Sequence, residues 1–347
     1  MKVSILFITY KHEKFVAAAI QSALAQDYPN LELVVCDDGS PDRTREILEQ
    51  ELANCPQQIQ VVRAHAEKNG GLHANFNRGL AACSGEIIVV MSGDDISRPN
   101  RVSMICQEFA VDSSCMLVSS NWIQIDDSGN QTGTRDKQNN HEIFAYSFVK
   151  KSIKNSIYAG APVCGAVAAY RACLRDLFPP MEAGRHAEDN CFWVRALLVG
   201  KIRYLAEPLV FWRSHGDNQS NWQRGIDHPV ARAKHLKFLQ AHQSMTQQWT
   251  RDLTHALASK LISESQHRQL QQTVQLQRER YRLLRLSVAA APWKLWLGSV
   301  FKLLWASAPC GLLRKSASLT LRKYLPLRLS DQRRDAYWHS YFNGMAR

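Results

Sequence analysis

Several common signatures are missing from this 347-residue chain. Its nine cysteines form no C-x-x-C pair and no cysteine–histidine cluster with zinc spacing, so we expect reduced, mostly buried thiols of a cytosolic protein. No G-x-G-x-x-G follows the first apolar run, which argues against a dinucleotide-dependent dehydrogenase. That run ends at Thr9, before Lys11, His12 and Glu13. It is too short for the apolar core of a signal peptide, and we expect a buried first strand and no export.

Acidic residues are scarce in the last third of the chain. Residues 1–230 contain 23 Lys+Arg and 26 Asp+Glu, whereas residues 231–347 contain 20 and 5, so the net charge of +12 comes from the tail alone. Such a tail suggests a polyanionic partner, either nucleic acid or an anionic membrane surface. We expect no nucleic acid, because residues 1–230 are slightly acidic and the aromatic residues of the tail cluster with leucines.

A long hydrophobic run is also lacking, although residues 287–313 come near to one. Trp293, Trp296 and Trp305 alternate there with leucines, and Lys294 and Lys302 interrupt the run. A spanning helix needs ~20 mostly apolar residues. The composition favours a helix lying in the membrane interface. The alternative is a helix that packs on the folded N-terminal part of the chain. We expect residues 231–286 to be helical.

Apolar runs alternate with helical patterns over the first 120 residues. Because the runs are apolar at every residue, they predict strands covered on both faces, as in a mainly parallel sheet with helical crossovers. The predicted strands are Val3–Thr9, Leu31–Cys36, Ile59–Ala64 and Ile87–Met91, and the predicted helices are Ala17–Leu24, Thr44–Ala53 and Leu72–Cys83. Further along, the pattern predicts a helix over Glu188–Gly200 and two short strands, Ile202–Leu205 and Leu209–Trp212.

Polar clusters follow the second and fourth predicted strands, at the edge where open α/β sheets bind ligands. Asp37-Asp38-Gly39-Ser40 offers carboxylates to a nucleobase or ribose, but it is equally suited to cap the next helix. In Ser92-Gly93-Asp94-Asp95, two adjacent carboxylates at the mouth of a buried strand repel each other. A hard divalent cation such as Mg²⁺ or Mn²⁺, shared with a substrate diphosphate, relieves that repulsion. We favour the cation over a solvated turn.

Two later features leave their roles open. Glu188 and Asp189 begin a predicted helix, where acidic side chains complement the helix dipole. A general base also has this form, but in isolation the dipole interpretation is preferred. His215 lies in a polar segment after a strand, where it would either ligate a metal or cap a turn.

Together these motifs resemble the family 2 inverting glycosyltransferases, which have the GT-A fold. The resemblance covers residues 1 to about 220 and rests on five pieces in order. They are Val3-Ser4-Ile5-Leu6-Phe7-Ile8-Thr9-Tyr10 with Glu13, Cys36-Asp37-Asp38-Gly39-Ser40, Asn77-Arg78-Gly79 with Gly85-Glu86, Ser92-Gly93-Asp94-Asp95, and Glu188-Asp189.

The resemblance implies a role for each matching position. Tyr10 and the backbone beside it at Thr9 would line the nucleobase pocket, with Glu13 near the ribose. Asp38 would bind the base, and Asp94 would reach the ribose or diphosphate.

On the same grounds Asp95 would be the direct metal ligand, His215 would complete the metal site, and Asp189 would be the catalytic base. Two positions depart from the family pattern. Ile8-Thr9-Tyr10-Lys11 stands where Pro-x-Tyr-Asn is common, and Ser92 stands where an aspartate is common.

The expected function is an inverting glycosyltransferase that uses a nucleotide-diphosphate sugar and a divalent cation. The acceptor would be a saccharide or lipid-linked saccharide in surface polysaccharide or lipopolysaccharide synthesis, at the inner face of the cytoplasmic membrane. We expect a catalytic domain over residues 1–225 and a helical, basic, membrane-associating region over residues 226–347. The alternative is a non-catalytic sugar-nucleotide-binding protein or a basic nucleic-acid-binding protein.

Overall fold

A computed structural model describes residues 1–135, 142–144, 146, 149–150, 153, 163–182, 188–216, 218 and 229–289. Within these residues ten strands form one sheet. The strands are β1 (Val3–Thr9), β2 (Leu31–Asp37), β3 (Gln60–Arg63), β4 (Ile87–Ser92), β5 (Ile96–Ser97), β6 (Cys115–Ile125), β7 (Gln131–Arg135), β8 (Glu142–Phe144), β9 (Ala168–Arg171) and β10 (Lys201–Arg213). The helices are α1 (Val16–Leu24), α2 (Thr44–Leu52), α3 (Leu72–Ala82), α4 (Arg101–Val111), α5 (Cys173–Leu177), α6 (Asp189–Val199), α7 (Pro229–Ala258) and α8 (Glu264–Ala289).

The sheet is mainly parallel, as the apolar runs predict. Its strand order is β3-β2-β1-β4-β9-β6-β10-β5, with β7 paired to β6 and β8 to β10. Strands β3, β2, β1 and β4 pair in parallel, and β9 runs antiparallel between β4 and β6. Since β10 is parallel to β6, the carboxyl ends of β1, β2, β4, β6 and β10 lie at one edge of the sheet.

Helices cover both faces of this sheet. Alternate residues of β1 show the division, because Leu6 and Ile8 join one buried cluster, whereas Ile5 and Phe7 join the other. Helices α1, α2 and α4 contribute to the second cluster, and α3, α5 and α6 to the first. Burial on both faces explains why the strand sequences are apolar at nearly every position.

Helix α3 packs very closely on the sheet at Gly79. A methyl group at this position would overlap Cys36 Sγ and a methyl group of Leu6. Only glycine allows this approach, which brings α3 and the loop before it against the ends of β1 and β2.

Three segments differ in detail from the predicted elements. The two short strands expected at 202–205 and 209–212 form one strand, β10, whose register shifts on either side of Pro208. Proline cannot donate a ladder hydrogen bond, so it occupies a bulge. The region expected to be helical from 231 to 286 divides into α7 and α8, separated by residues 259–263. Strand β3 is exposed at both ends because it lies at the sheet edge.

The α7–α8 hairpin shares the hydrophobic core of the sheet. Met245, Trp249 and Leu253 of α7, with Leu270 and Val274 of α8, belong to the same buried cluster as the apolar side chains of β1 and α6. Of the helices that the structure describes, none combines the length and the hydrophobicity needed to cross a membrane. The predicted amphipathic segment 287–313 lies outside the described residues beyond Ala289.

Candidate active site

The predicted site residues converge at the edge where the parallel strands end. Strand β1 ends at Thr9, β2 at Asp37, β4 at Ser92 and β10 at Arg213. Backbone hydrogen bonds from Asp38 N to Thr9 O (3.0 Å) and from Gly93 N to Ile8 O (2.9 Å) hold the first three ends together. The two aspartate motifs are therefore neighbours in space, although Asp38 and Asp94 are 56 residues apart in the chain.

Asp94 lies between two histidines. Its Oδ2 is 3.1 Å from His215 Nε2 and 3.7 Å from His12 Nε2. One potential ligand atom from each of these three residues lies within 4.8 Å of the other two. Two imidazole nitrogens and a carboxylate oxygen form a ligand set suited to a divalent transition metal.

The electrostatics of this cluster favour the metal-binding forms of its side chains. Burial raises the pKa of Asp94, but the hydrogen bond from His215 and the nearby His12 outweigh it and leave this pKa below its usual value. Burial lowers the pKa of His12, and the attraction of Asp94 recovers only part of that shift. Asp94 is thus ionised and His12 neutral near pH 7, as a bound cation requires.

Asp95 has a different environment. Its Oδ1 accepts a hydrogen bond from the backbone N–H of Arg213 at 2.8 Å, and it is not one of the three residues whose ligand atoms converge. Burial raises the pKa of Asp95 well above its usual value, and the charge of Asp94 adds to this shift. The buried guanidiniums of Arg101 and Arg213 offset part of it. The structure brings Asp94 and His215 together, with Asp95 beside them rather than among the three.

Arg213 fastens the end of β10 to this motif. Its Nε donates to the carbonyl of Asp94 at 2.9 Å, and its Nη1 donates to the carbonyl of Asp126 at 2.7 Å. The guanidinium lies over the ring of Phe15, 4.8 Å from the ring centroid. These contacts fix the end of β10. The chain that continues from Arg213 then places His215 beside Asp94.

Asp38 is buried under a glycine turn. Its carboxylate accepts hydrogen bonds from the backbone N–H groups of Gly71 at 2.8 Å and Gly70 at 3.2 Å. Arg78 Nη2 is 3.5 Å from the same carboxylate. Asp38 therefore connects the end of β2 to the loop at the start of α3. The neighbouring Asp37 accepts the N–H of Ser40 at 3.0 Å and closes the turn.

Thr9 is the last residue of β1, and Tyr10 and Glu13 lie on the loop that follows it. This loop lies beside the turn at Asp37–Ser40. Thr9 Oγ1 is 3.1 Å from His12 Nδ1. Tyr10 is half-buried, with Lys11 Nζ 5.4 Å from its ring centroid. Glu13 is exposed and accepts the backbone N–H of Arg43 at 3.1 Å. This loop therefore spans from the predicted nucleobase side to the histidine cluster.

Asp189 begins helix α6 and is held by a 3₁₀ turn at Gly165–Val167. Its Oδ2 accepts the backbone N–H of Gly165 at 3.1 Å, whereas its buried Oδ1 has no hydrogen-bond partner among the described residues. A side chain at Gly165 would overlap the carboxylate of Glu188 and come within 3.6 Å of Asp189 Cβ. Glycine is needed at this position to let the acidic pair approach the turn.

Burial raises the pKa of Asp189 to about 6. It raises the pKa of Glu188 further, to about 8, because the charge of Asp189 adds to the effect of burial. Near pH 7 the pair therefore keeps Asp189 ionised and Glu188 protonated. A buried carboxylate with a pKa just below neutral is suited to accept a proton at physiological pH.

Arg101 bonds both to the 3₁₀ turn beside the acidic pair, Glu188 and Asp189, and to strand β4, which leads into the cation motif (Ser92-Gly93-Asp94-Asp95). Its Nη2 donates to the carbonyls of Val90 in β4 at 2.9 Å and of Ala166 in the 3₁₀ turn at 3.1 Å. Its charge also acts on Asp95. Arg101 thus joins β4, the strand that leads into Asp94 and Asp95, to the turn that holds Asp189.

The sequence motifs did not indicate four of these contributors. His12 lies three residues after the first strand, and only its proximity to Asp94 in the folded protein identifies it as a candidate metal ligand. Arg101, Arg213 and Gly165 act through main-chain contacts that no local pattern shows. Position was the signal that the sequence offered. His12 lies just beyond the end of one buried strand and Arg213 lies at the end of another, where ligand-binding residues gather.

A mainly parallel sheet with helices on both faces, and acidic residues at its carboxyl edge, is the GT-A architecture of glycosyltransferases. The model of the family described as Glycosyl transferase family 2 matches residues 4–178, half of the chain. The protein belongs to this family. The resemblance inferred from the five sequence pieces is thereby confirmed.

Curated relatives agree with this membership. An uncharacterized glycosyltransferase of Nostoc sp. is 27% identical over 220 residues, which cover 63% of this chain and 66% of that protein. The chondroitin synthase of Escherichia coli is 35% identical over 128 residues, 37% of this chain and 18% of that protein. The hyaluronan synthase of Pasteurella multocida is 25% identical over 248 residues, 71% and 23% of the two chains. The match thus spans about two thirds of the first relative and under a quarter of both synthases.

Solved structures share the fold. Staphylococcus aureus TarS 1–349, in complex with UDP-GlcNAc, aligns with a TM-score of 0.52 at 16% identity, covering 87% of this chain and 89% of that one. The mannosyltransferase PcManGT of Pyrobaculum calidifontis, in complex with GDP-Man and Mn²⁺, aligns with a TM-score of 0.52 at 16% identity, covering 99% and 85%. The predicted fold class, a GT-A-like sheet followed by helices, is confirmed.

Proposed function

We propose that the protein is a metal-dependent inverting glycosyltransferase of cell-surface polysaccharide or lipopolysaccharide synthesis. It would move a sugar from a nucleoside-diphosphate donor to a saccharide or lipid-linked acceptor. The observation that carries the proposal is the gathering, at one sheet edge, of a cation ligand set at Asp94 and a proton-accepting carboxylate at Asp189. The polysaccharide context is supported by the names of the chondroitin and hyaluronan synthases among the relatives.

The proposed cation ligands are Asp94, His12 and His215. This assignment gives Asp94 the direct-ligand role that the family resemblance suggested for Asp95. Asp95 instead anchors β10 through the N–H of Arg213. Two imidazoles make the set better suited to Mn²⁺ than to Mg²⁺, which prefers oxygen ligands. When bound, the cation would neutralise the charge of a donor diphosphate.

The nucleoside would lie over the ends of β1 and β2. Asp38 is the candidate for the base, and Thr9 with Tyr10 forms the adjacent wall. Glu13 is on the exposed side of the same loop, where a ribose would be within its reach. The half-buried ring of Tyr10 offers an apolar face to a planar base.

Asp189 would act as the general base. Its carboxylate takes the proton of the acceptor hydroxyl while that oxygen forms a bond to the anomeric carbon. The bond between that carbon and the diphosphate oxygen breaks, and the nucleotide leaves with the electron pair. Attack from the face opposite the leaving group inverts the anomeric centre. The raised pKa of Asp189 suits this step because a more basic carboxylate accepts a proton more readily.

A panel of nucleotide sugars tests the donor and the cation together. UDP-GlcNAc, UDP-glucose, UDP-galactose and GDP-mannose are each added with Mn²⁺, Mg²⁺ or EDTA, and the melting temperature is measured. We expect one donor to stabilise the protein strongly with Mn²⁺ and weakly with EDTA. A ligand at 100 times its Kd stabilises by about 2.7 kcal/mol.

The matched variants are Asp94→Ala and, as a control, Glu46→Ala, which removes an exposed carboxylate of α2. Asp94→Ala should lose the Mn²⁺-dependent part of the stabilisation, and the control should keep it. If no nucleotide sugar stabilises the protein under any condition, the proposed function is wrong. If Asp94→Ala keeps the full Mn²⁺ effect, only the ligand assignment fails.

We also propose that residues 290–347 bring the enzyme to the inner, cytoplasmic face of the membrane. The support is their composition, in which tryptophans and leucines alternate with Lys and Arg. Anionic lipids attract such segments, and lipid-linked acceptors would be available at that surface.

A further inference from the structure

Helix α6, which begins at Asp189, is held by polar contacts from α7. Trp249 Nε1 donates to the carbonyl of Asn190 at 2.8 Å. The indole rings of Trp249 and Trp193 pack edge to face with centroids 5.9 Å apart. Asn190 directly follows Asp189, so this hydrogen bond acts on the first turn of the helix.

A buried ion pair joins the same two helices one turn further on. Arg195 of α6 donates from Nε and Nη2 to both carboxylate oxygens of Asp252, each at 2.9 Å. Both side chains are at most 1% exposed. Gln248 donates to the same carboxylate at 2.9 Å. Such a bidentate pair fixes both the distance and the rotation of one helix relative to the other.

The segment leading toward Asp189 is attached to α7 as well. Gln248 Oε1 of α7 accepts the backbone N–H of Glu182 at 3.0 Å, and Arg195 of α6, which is paired with Asp252 of α7, donates from Nη2 to the carbonyl of Pro179 at 2.7 Å. Arg251 of α7 forms an ion pair with the side chain of Glu182. Contacts from α7 therefore hold the chain on both sides of the acidic pair.

We infer that the α7–α8 hairpin positions the candidate base, with Trp249, Asp252 and Gln248 as the positioning residues. The inference rests on the proposed function, because it assigns Asp189 the role of base. None of the three residues is among the proposed cation or donor ligands. They act through α6 and through the segment at 179–182.

Stability alone is a poor explanation for these contacts. A buried ion pair is often no more stabilising than apolar side chains of similar volume, because both charges lose their hydration. Apolar packing is tolerant of small shifts, whereas directional hydrogen bonds are not. A misplacement of a catalytic group by about 1 Å can lower the rate by about 10²-fold. The polar contacts therefore fit a requirement for position at Asp189.

The candidate base and its support lie beyond the family match, which ends at residue 178. The site is then completed by residues from 229 onward, a part of the sequence that carries no motif of its own.

The test compares Trp249→Phe and Asp252→Asn with Val274→Ala in the full-length protein. Trp249→Phe removes the N–H donor together with part of the buried ring that packs on Trp193, and Asp252→Asn removes the charge with little change of shape. Val274→Ala is the matched control, since it weakens the buried α8 surface of the hairpin and leaves the polar contacts between α7 and α6 in place. The measurements are hydrolysis of the nucleotide sugar selected by the panel, the Kd of its nucleotide with Mn²⁺, and hydrogen exchange of a peptide covering residues 188–199.

We expect both positioning variants to lower kcat by about 10-fold or more and to speed exchange in the first turn of α6. The nucleotide Kd should stay within about twofold, because its proposed site is at the ends of β1 and β2. Val274→Ala should lower the melting temperature with kcat nearly unchanged. Asp189→Asn is measured in parallel as the reference for loss of the base.

The outcomes distinguish a failure of the positioning inference from a failure of the proposed function. If Asp189→Asn is inactive but both positioning variants keep kcat and normal exchange, the positioning role is wrong and the proposed function stands. If kcat falls in proportion to stability in all three variants, including the control, the hairpin is only structural. If Asp189→Asn keeps full activity, the base assignment and the positioning inference fail together.

Discussion

Adjacent aspartates in this protein have opposite properties. Asp94 is ionised because two histidines and the hydroxyl of Ser92 stabilise its charge. The pKa of Asp95 is raised because burial and the charge of Asp94 both oppose its ionisation. The sequence Ser92-Gly93-Asp94-Asp95 identifies the pair, but not which member lies against the two histidines. That depends on His12 and His215, which come from distant parts of the chain.

At Asp189, activity and stability should respond to pH in opposite directions. The folded-state pKa of Asp189 is about 6, above the ordinary value of about 3.9 for an aspartate in an unfolded chain. A raised carboxyl pKa means that the folded state binds more protons between these values, so stability falls as pH rises through that window. Catalysis by the carboxylate should rise over the same window.

We therefore predict that Asp189→Asn lowers turnover by about 10² to 10⁴ and stabilises the fold. The gain near pH 8 should be about 1–3 kcal/mol, since the shift of roughly two pKa units is worth about 1.4 kcal/mol per unit. Urea unfolding at pH 4 and pH 8 measures it, and the gain should disappear at pH 4. The wild-type activity profile should have its acidic midpoint near 6. An Asn variant with normal turnover would contradict the assignment.

At the scale of single elements, short connecting segments decide the site. The 3₁₀ turn at Gly165–Val167 contributes a backbone N–H to Asp189 and a carbonyl, from Ala166, to Arg101. Neither contact depends on a side chain of the turn, so composition and periodicity carried no sign of it. The strands and helices of the first 120 residues, by contrast, follow directly from their apolar patterns.

We predict that Gly165→Ala displaces the acidic pair. The new methyl group would overlap the carboxylate of Glu188 and lie 3.2 Å from its Cδ. We expect kcat to fall by about 10- to 100-fold with nucleotide binding unchanged, measured by nucleotide-sugar hydrolysis and calorimetry.

Gly133→Ala in β7 is the control for that variant. A methyl group there meets only Gln124 atoms at 3.8 and 3.9 Å, which is ordinary contact. Equal losses in both variants would show that the effect at Gly165 is not specific to the acidic pair.

For the whole molecule, the described part of the basic C-terminal third belongs to the core that the sheet forms. Residues 229–289 pack into the core of the catalytic domain, with Trp249 fully buried. The tryptophans that favour membrane binding, Trp293, Trp296 and Trp305, lie further on, among residues 290–347, which also carry 10 Lys+Arg against 2 Asp+Glu. The domain boundary expected at residue 225 therefore divides the sheet from helices that share the hydrophobic core of the sheet.

We predict that deletion of residues 290–347 removes membrane binding but keeps donor binding. Co-sedimentation with vesicles containing phosphatidylglycerol should show the loss, since basic residues near an anionic surface contribute about 1 kcal/mol each. The nucleotide-sugar melting shift should persist, because the deleted segment begins after α8. A second variant with Trp293, Trp296 and Trp305 changed to Ala tests the apolar contribution in the full-length chain. Unchanged sedimentation of both variants would contradict the membrane role.

The sequence by itself determined the parallel sheet, its helical crossovers, the family and the edge at which the polar strand ends gather. These follow from local patterns, because burial on two faces imposes apolar runs and strand ends expose polar residues. Only the tertiary structure decided that His12 joins Asp94 and His215, that Arg101 connects β4 to the turn beside Asp189, and that α7 holds the helix that begins at Asp189. Each of these contacts joins residues distant in the chain through geometry that depends on how whole elements pack.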